Sequence, residues 1–264
     1  MTAPNAGEIL AAASLVIFCA SLSRLLRLGF GRSLLISALR MVLQLVGLAF
    51  VLGWLFRTET FLVTLAAMVV MAGFAGAEVV ARQEQPPGRL WTGLVGVTAM
   101  LTAGLAVTLP ALLLLGDDGS WWHPRTALPI FGMVAGASMT GVSLSLDTFA
   151  QGVLRDARGI EARLALGATR NEALRPVIRQ AVTRGMMPTI NAMAAIGVVT
   201  IPGMMTGQLL AGAEVFGAAR LQMFLMFLLA GATALGTLGA TYAMAQRVTD
   251  ARHRLRLDRL AVRK

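Results

Sequence analysis

Seven stretches of this chain stay apolar almost without interruption for 15 to 26 residues: Ile9–Ser23, Leu34–Phe56, Phe61–Ala77, Leu90–Leu115, Leu128–Leu146, Met186–Ile201 and Leu221–Ala245. About 20 such residues is the length an α-helix needs to cross the hydrocarbon core of a bilayer. No water is available there to bond a stray peptide group, so every span satisfies its backbone within one helix or within a closed barrel. The runs lack the alternation of apolar and polar positions that barrel strands carry. The pattern therefore predicts an all-α, polytopic membrane protein with about seven transmembrane helices and one long helical loop on the cytoplasmic side. The first and sixth runs are short and are expected to extend into their flanks.

Composition closes off the other classes. Of the 264 residues, 56% are AVILMFWYC and 28 more are Gly, while only 14% are charged. Soluble chains carry about 25% charge, and disordered chains are far less apolar. The one cysteine, Cys19, lies inside the first run, so no disulfide forms within the chain. Met1–Glu8 has neither a basic n-region nor a cleavage-site pattern, so no signal peptide is expected.

The net charge of +10 comes from 22 Arg and the single Lys264. Such an excess on a soluble chain points to nucleic acid. Here the arginines lie between and after the apolar runs, so no nucleic-acid partner is expected, and the excess reads as a topology signal. Seven spans place 19 of the 23 basic residues on one side, in the loops holding Arg24, Arg27 and Arg32, Arg82 and Arg89, the long loop, and the tail. The other side holds Arg57, Arg125 and Arg220, and Arg40 lies within a span. Positive residues stay on the cytoplasmic side, so the expected placement is the cell's inner membrane, N-terminus outside and C-terminus in the cytoplasm. Residues 1–246 then form a transmembrane domain with a cytoplasmic loop at 148–185, and residues 247–264 a basic cytoplasmic tail.

That loop reads as helical. Ile160, Leu164, Leu166, Leu174 and Ile178 recur among charges, Glu172 and Arg175 stand one turn apart, and Gly167 and Pro176 punctuate the stretch. Two readings are open: a solvated basic helix lying near anionic lipid, or a docking element whose apolar face fills a groove on a cytoplasmic partner. The chain has no standard Walker A site, because G-x-x-x-x-G-K-[ST] needs an internal lysine to reach the phosphates. An ATP-driven transporter of this kind draws its hydrolysis from a separate polypeptide.

Glu161-Ala162-Arg163-Leu164-Ala165-Leu166-Gly167-Ala168 resembles the EAA loop of ABC-transporter permeases, with Arg163 standing where that motif has its second Ala. Pro202-Gly203-Met204-Met205-Thr206-Gly207-Gln208-Leu209-Leu210-Ala211-Gly212 resembles the PGMMTGQILAG string of the FetB-type iron-export permeases, which are similar to the membrane subunits of a plant aluminium-tolerance transporter. Arg40-Met41-Val42-Leu43-Gln44-Leu45 resembles that family's Arg–Gln–Leu stretch in the second span. The likeness runs over about residues 8–246. It implies an ABC permease subunit that exports iron or a related metal ion. Its partners would be a cytoplasmic ATPase subunit that binds ATP and Mg, with no cofactor in this chain, a second copy of itself, and the lipid bilayer. It also implies that Ile160, Glu161, Ala162, Leu164, Leu166, Gly167, Ala168 and Ala173 couple to the ATPase.

Polar groups within the spans are candidates for the translocation path, because a charge in the hydrocarbon costs about 2.5–3.5 kcal/mol on insertion scales. Ser33, Ser37, Arg40, Gln44 and Gly47 fall on one helical face. Arg40 either snorkels to the interface or serves function. Gln44 is deeper and needs an interhelical partner or a wet path, so the stripe is expected to face the bundle interior or a dimer axis. Asn191 is either helix glue or a pathway group. Asp147 and Glu78, at span ends, are interfacial, pair with basic loop residues, or receive a cation. Pro129, Gly132 and Gly136 share a texture with Pro202, Gly203, Met204, Met205, Thr206, Gly207 and Gln208; Gly/Pro-broken spans line a cavity or pack closely through small residues.

Met186, Met187, Met193, Met204 and Met205 gather near the sixth run and read mainly as adaptable packing. His123, His253 and Cys19 are too scattered for a preformed metal site. Trp121 and Trp122 read as interface anchors, with Asp117-Asp118 as a turn. The competing function is an ion-gradient-driven secondary cation transporter, which needs intramembrane carboxylates that no mid-span position supplies. An integral-membrane enzyme ranks last, since no nucleophile–base pair is suggested.

Overall fold

A computed structural model of the chain describes residues 5–58, 60–83, 88–115, 122–250 and 254–260. Among them are nine α-helices: α1 (Ala6–Leu25), α2 (Gly31–Thr58), α3 (Phe61–Ala81), α4 (Arg89–Leu115), α5 (Pro124–Arg155), α6 (Ala157–Ala165), α7 (Arg170–Ala195), α8 (Gly203–Leu210) and α9 (Val215–Arg247). The expectation of a polytopic helical membrane protein holds. The sequence positions Glu59, Asp117, Asp118, Trp121, His253 and Lys264 lie outside the described residues.

The helices fall into two compact units, Met1–Glu59 and Thr60–Lys264. The first is the α1–α2 hairpin. A capping box starts α1: the Asn5 amide donates to Glu8 Oε2 and the Glu8 amide donates to Asn5 Oδ1, each at 2.9 Å. This satisfies two of the amides a helix start leaves without partners. Gly31 begins α2 against α1, where an added Cβ would stand 2.7 Å from the Ala20 carbonyl oxygen. Its amide donates to the buried Ser23 hydroxyl at 2.9 Å.

The second unit packs α3, α4, α5, α7 and α9 together, with α5 nearest the middle. Phe131, Val134, Val142, Leu146, Phe149 and Val153 of α5 are all buried. Small residues bring the backbones close: a Cβ on Gly76 of α3 would stand 2.7 Å from the Val97 amide of α4. In a medium as apolar as the side chains, close approach through Gly and Ala replaces the hydrophobic drive between helices.

Among the described residues six helices are long and apolar enough to cross a membrane: α1, α2, α3, α4, α5 and α9. The sixth run differs from its expectation. Met186–Ile201 is not one helix: α7 stops at Ala195, the backbone turns through 196–202, and α8 starts at Gly203. Gly197 sits at φ +83, a conformation L side chains rarely adopt, and Pro202 caps the start of α8 without an amide to donate. The first half of α7 carries Arg170, Glu172, Arg175, Arg179 and Arg184, so the helix as a whole is amphiphilic along its axis, polar first and apolar last.

One further expectation is corrected. Pro176 sits inside α7 and Pro129 inside α5 without breaking either helix, and Pro188 also lies within α7. Each proline forfeits one backbone bond, and Pro176, Pro188 and Pro129 are all exposed, where the freed carbonyl has room to find another partner. Within the stretch expected as the cytoplasmic loop, 148–185, the chain is helical in three pieces: the end of α5 to Arg155, then α6, then the first part of α7.

The C-terminal segment folds back on α9. Thr249 and Leu255 form an antiparallel bridge, the Arg256 amide donates to the Val248 carbonyl at 2.8 Å, and Arg259 Nη1 donates to the Arg247 carbonyl at 2.9 Å. Val248 and Leu260 are buried by this arrangement. Arg256 Nη2 and Asp258 Oδ2 pair at 2.8 Å, and the hydrogen bonds from Arg256 hold the Asp258 carboxyl below the usual aspartate value.

Candidate coupling elbow and helix crossing

The α5–α6–α7 corner is built from local rules. Gly167, at φ +92, ends α6 in a Schellman motif: the Ala168 amide donates to the Arg163 carbonyl at 3.1 Å, and the Gly167 amide to the Leu164 carbonyl at 3.0 Å. Two residues later Thr169 starts α7 with a capping box. Its amide and hydroxyl both donate to Glu172 Oε2 at 2.8 Å, and the Glu172 amide donates to Thr169 Oγ1 at 3.4 Å. The Thr169 amide, and then its hydroxyl, hold the Glu172 carboxyl below the usual glutamate value.

Tertiary contacts then fix the corner. Ile160 is fully buried under α6. Arg163 Nε donates to the Ala173 carbonyl at 3.1 Å, and Arg163 Nη2 pairs with Asp156 Oδ2 at 2.6 Å. One guanidinium thus ties the start of α6, its last turn and the first turn of α7. Arg155 Nη2 donates to Gln180 Oε1 at 3.2 Å, a second link between α5 and α7. Of the residues singled out in sequence, Ile160 and Ala173 are buried roots, and Leu164 and Ala168 are half-buried. Glu161, Ala162, Leu166 and Gly167 face outward, and Leu166 is 88% exposed at the tip. The corner presents an apolar knob on a rigid base. Sequence reasoning noted Arg163 only as a departure from a motif; its clamp is a tertiary contact that spacing does not show.

This elbow stands at the end of the second unit that gathers its arginines. Arg247, closing α9, lies with its guanidinium carbon 5.7 Å from the Trp91 ring centre in the first turn of α4. Arg82 Nε pairs with Glu78 Oε1 at 3.3 Å, so Glu78 takes the option of pairing with a basic loop residue. Asp147 accepts from Gln151 Nε2 at 3.0 Å through Oδ2.

About midway along α5, three helices cross. A Cβ on Gly185 of α7 would stand 2.7 Å from the Gly141 carbonyl oxygen, 2.9 Å from Ser145 Cβ and 2.9 Å from Thr237 Cγ2 of α9. A Cβ on Gly141 would stand 2.6 Å from Thr233 Cγ2 and 2.9 Å from the Gly185 carbonyl oxygen. Ser138, Ser145, Thr233, Thr237 and Thr241 line this crossing and are fully buried. The Thr237 hydroxyl donates back to the Thr233 carbonyl at 2.8 Å and the Ser145 hydroxyl to the Val142 carbonyl at 2.9 Å, whereas the Ser138, Thr233 and Thr241 hydroxyls have no hydrogen-bond partner among the described residues. The close-packing reading therefore holds for Gly141. It does not hold for Gly136, whose Cβ position is open, and at Gly132 an added Cβ meets only the tip of Met71. Thr233, Gly236, Thr237, Ala240 and Thr241 recur on one face of α9, the signal in the sequence that marks this crossing.

The path candidates do not converge on one another. Ser33, Ser37, Arg40, Gln44 and Gly47 form an exposed stripe on α2, so within its hairpin the stripe has no covered face. Asn191 is exposed on the last turns of α7. Pro202, Met204, Met205 and Gln208 are half-buried and Gly203, Thr206 and Gly207 exposed on α8, where the Thr206 hydroxyl donates to the Pro202 carbonyl at 3.1 Å. Among the described residues no three His, Cys, Asp or Glu side chains gather as metal ligands.

Comparison with known proteins gives this architecture a family. The family described as "Uncharacterised protein family (UPF0014)" matches residues 6–249. The chain is 32% identical over 208 residues to the UPF0014 membrane protein slr1647 of Synechocystis, covering 76% of this chain and 77% of that one. It is 27% identical over 246 residues to the protein described as "Probable iron export permease protein FetB" of Escherichia coli, covering 93% of each. It is 28% identical over 235 residues to the Arabidopsis thaliana protein ALUMINUM SENSITIVE 3, covering 88% of this chain and 83% of that one. No solved structure matches. A match spanning all nine described helices, with spans, crossing and elbow inside it, identifies the chain as a multi-pass membrane permease that belongs to the UPF0014 family.

Proposed function

We propose that this chain is the membrane subunit of an ABC exporter of iron or a related metal ion, working as a homodimer with two cytoplasmic ATPase chains that bind ATP and Mg. The elbow is the ATPase dock. The observation that carries this reading is the exposed Leu166 at the tip of a corner held by the Arg163 clamp and rooted on Ile160. A flexible loop would absorb a partner's motion, whereas a clamped one passes it to α5 and α7. The distribution of arginines between the runs supports an elbow in the cytoplasm with the N-terminus outside. Pairing of two copies covers the exposed stripe of α2 and the face formed by the end of α7, the 196–202 turn and α8. Arg40 and Gln44 in the first unit, and Asn191 and the stretch from Pro202 to Gln208 in the second, are each candidates for the translocation path. The metal ion as cargo is supported by the likeness to the protein described as an iron export permease.

The test is co-purification with a candidate ATPase, followed by metal-stimulated ATP hydrolysis in reconstituted vesicles with a panel of ions. Leu166→Asp is expected to lose ATPase association while keeping the wild-type melting profile. Retained association, or ATP hydrolysis by the purified chain alone, overturns the reading.

A further inference from the structure

At the closed end of the α1–α2 hairpin lies an open pocket of about 820 Å³ whose lining includes Arg24, Arg27 and Arg32 together with Ile17, Leu35 and Ile36. The corner that shapes it is tightly determined. Arg27 adopts φ +53, a left-handed conformation unfavourable for a long side chain, and Gly29 follows at φ +81. The Leu28 amide donates to the Ser23 carbonyl at 2.9 Å, and the Gly31 amide donates to the Ser23 hydroxyl at 2.9 Å. The backbone thus turns so that three arginines, from the end of one helix, the corner and the start of the next, line one space.

Among the described residues of the hairpin no carboxylate neutralises them. None of the three makes an ion pair among the described residues. The hairpin's described carboxylate, Glu8, stands at the opposite end of α1, about 24 Å away at 1.5 Å per residue, and is engaged with Asn5. Three like charges held together repel one another, and an anion between them reverses the sign of that interaction. Guanidinium groups favour phosphate, which they bind through paired N–H donors. The apolar wall sets a second requirement: the ligand carries a hydrocarbon portion beside its phosphate. The space lies where two spans meet the basic side of the membrane.

We propose that this cavity binds the phosphate headgroup of an anionic phospholipid, with the acyl chains lying along Ile17, Leu35 and Ile36. Basic pockets between spans on the cytoplasmic side take such headgroups, and each basic residue contributes roughly a five-fold gain in affinity. The site is independent of the transport reading.

Full-length protein in a neutral detergent is titrated with phosphatidylglycerol and with phosphatidylcholine, bound lipid being read by native mass spectrometry. The wild type is expected to prefer phosphatidylglycerol. The triple variant Arg24→Gln/Arg27→Gln/Arg32→Gln is expected to lose on the order of a hundred-fold of that preference. A variant matched in charge, Arg158→Gln/Arg175→Gln/Arg179→Gln, is expected to keep it. Each variant is first shown to melt and elute as the wild type does; if the triple variant does not, the single variants Arg24→Gln and Arg32→Gln carry the test, each expected to lose about five-fold. Unchanged preference in the variants at the hairpin overturns the proposal. So does binding of inorganic phosphate to the wild type with no discrimination between the two lipids, which assigns the cavity to a free phosphate.

Discussion

Replacing Gly185 by alanine tests the helix crossing with a single methyl group. The new carbon would stand 2.7 Å from the Gly141 carbonyl oxygen, 2.9 Å from Ser145 Cβ and 2.9 Å from Thr237 Cγ2. Ordinary carbon contacts lie near 3.5–4.0 Å, so α7 must withdraw from α5 and α9 by about half an ångström or more. None of the three neighbours can swing aside: one is backbone, one is a β-carbon, and one belongs to a β-branched side chain. Overpacking of this kind costs about 1–3 kcal/mol, and the rigid surroundings place Gly185→Ala at the upper end. At about 2–4 °C per kcal/mol for a chain of this size, the melting midpoint falls by about 6–12 °C. The assay is thermal unfolding in detergent followed by tryptophan fluorescence. Gly136→Ala is the control, because its Cβ position is open and a helical Gly→Ala change is neutral or stabilising by up to about 1 kcal/mol. Adding Thr237→Ser to Gly185→Ala removes one of the three close atoms and is expected to restore part of the loss. If Gly185→Ala and Gly136→Ala melt together, the crossing does not hold the three helices as described.

Other outcomes follow from the elbow. Arg163→Met releases the Ala173 carbonyl and Asp156 together, so amide exchange is expected to quicken across 157–166 while the global melting midpoint moves little; unchanged exchange would remove the clamp. Gly167→Val places a β-branched residue at φ +92 and is expected to cost about 1–2 kcal/mol of local stability, seen as faster proteolysis at 164–170, whereas Gly167→Asn is tolerated better. The lowered Glu172 value implies an acid transition. The capping box stabilises fully above the usual glutamate range and is lost as the pH falls through the lowered native value. Thr169→Val is expected to move that transition, read by amide exchange over 170–173, upward toward the usual range.

Much of the membrane architecture was legible because it depends on runs of one chemistry. Length and apolarity mark Leu34–Phe56 or Leu221–Ala245 as spans without reference to anything else in the chain. The sixth run was harder. Gly197, Pro202 and Gly203 signal a break, yet α7 is charged for its first four turns and apolar after, so no single window describes it. Prolines misled in the other direction: Pro129 and Pro176 sit within continuous helices because their surroundings leave room for the freed carbonyl. The crossing was only half legible. Gly136 and Gly141 are the same residue one turn and a little apart, and only the second meets another backbone, a distinction made by tertiary geometry. In the elbow, Gly167 announced the corner, while the exposure of Leu166 at its tip and the work of Arg163 on the Ala173 carbonyl ten residues away depend on tertiary geometry.

The proportions of α5 carry a mechanical consequence. Gly141, where α7 and α9 pinch it, lies about 26 Å along the helix from Pro124 and about 21 Å from Arg155, at 1.5 Å per residue. Leu128 and Phe131 on one arm and Phe149 and Val153 on the other are buried as well. The helix is therefore held along both arms, and a push at Arg155 loads all the neighbours of α5 together rather than turning the helix alone about Gly141.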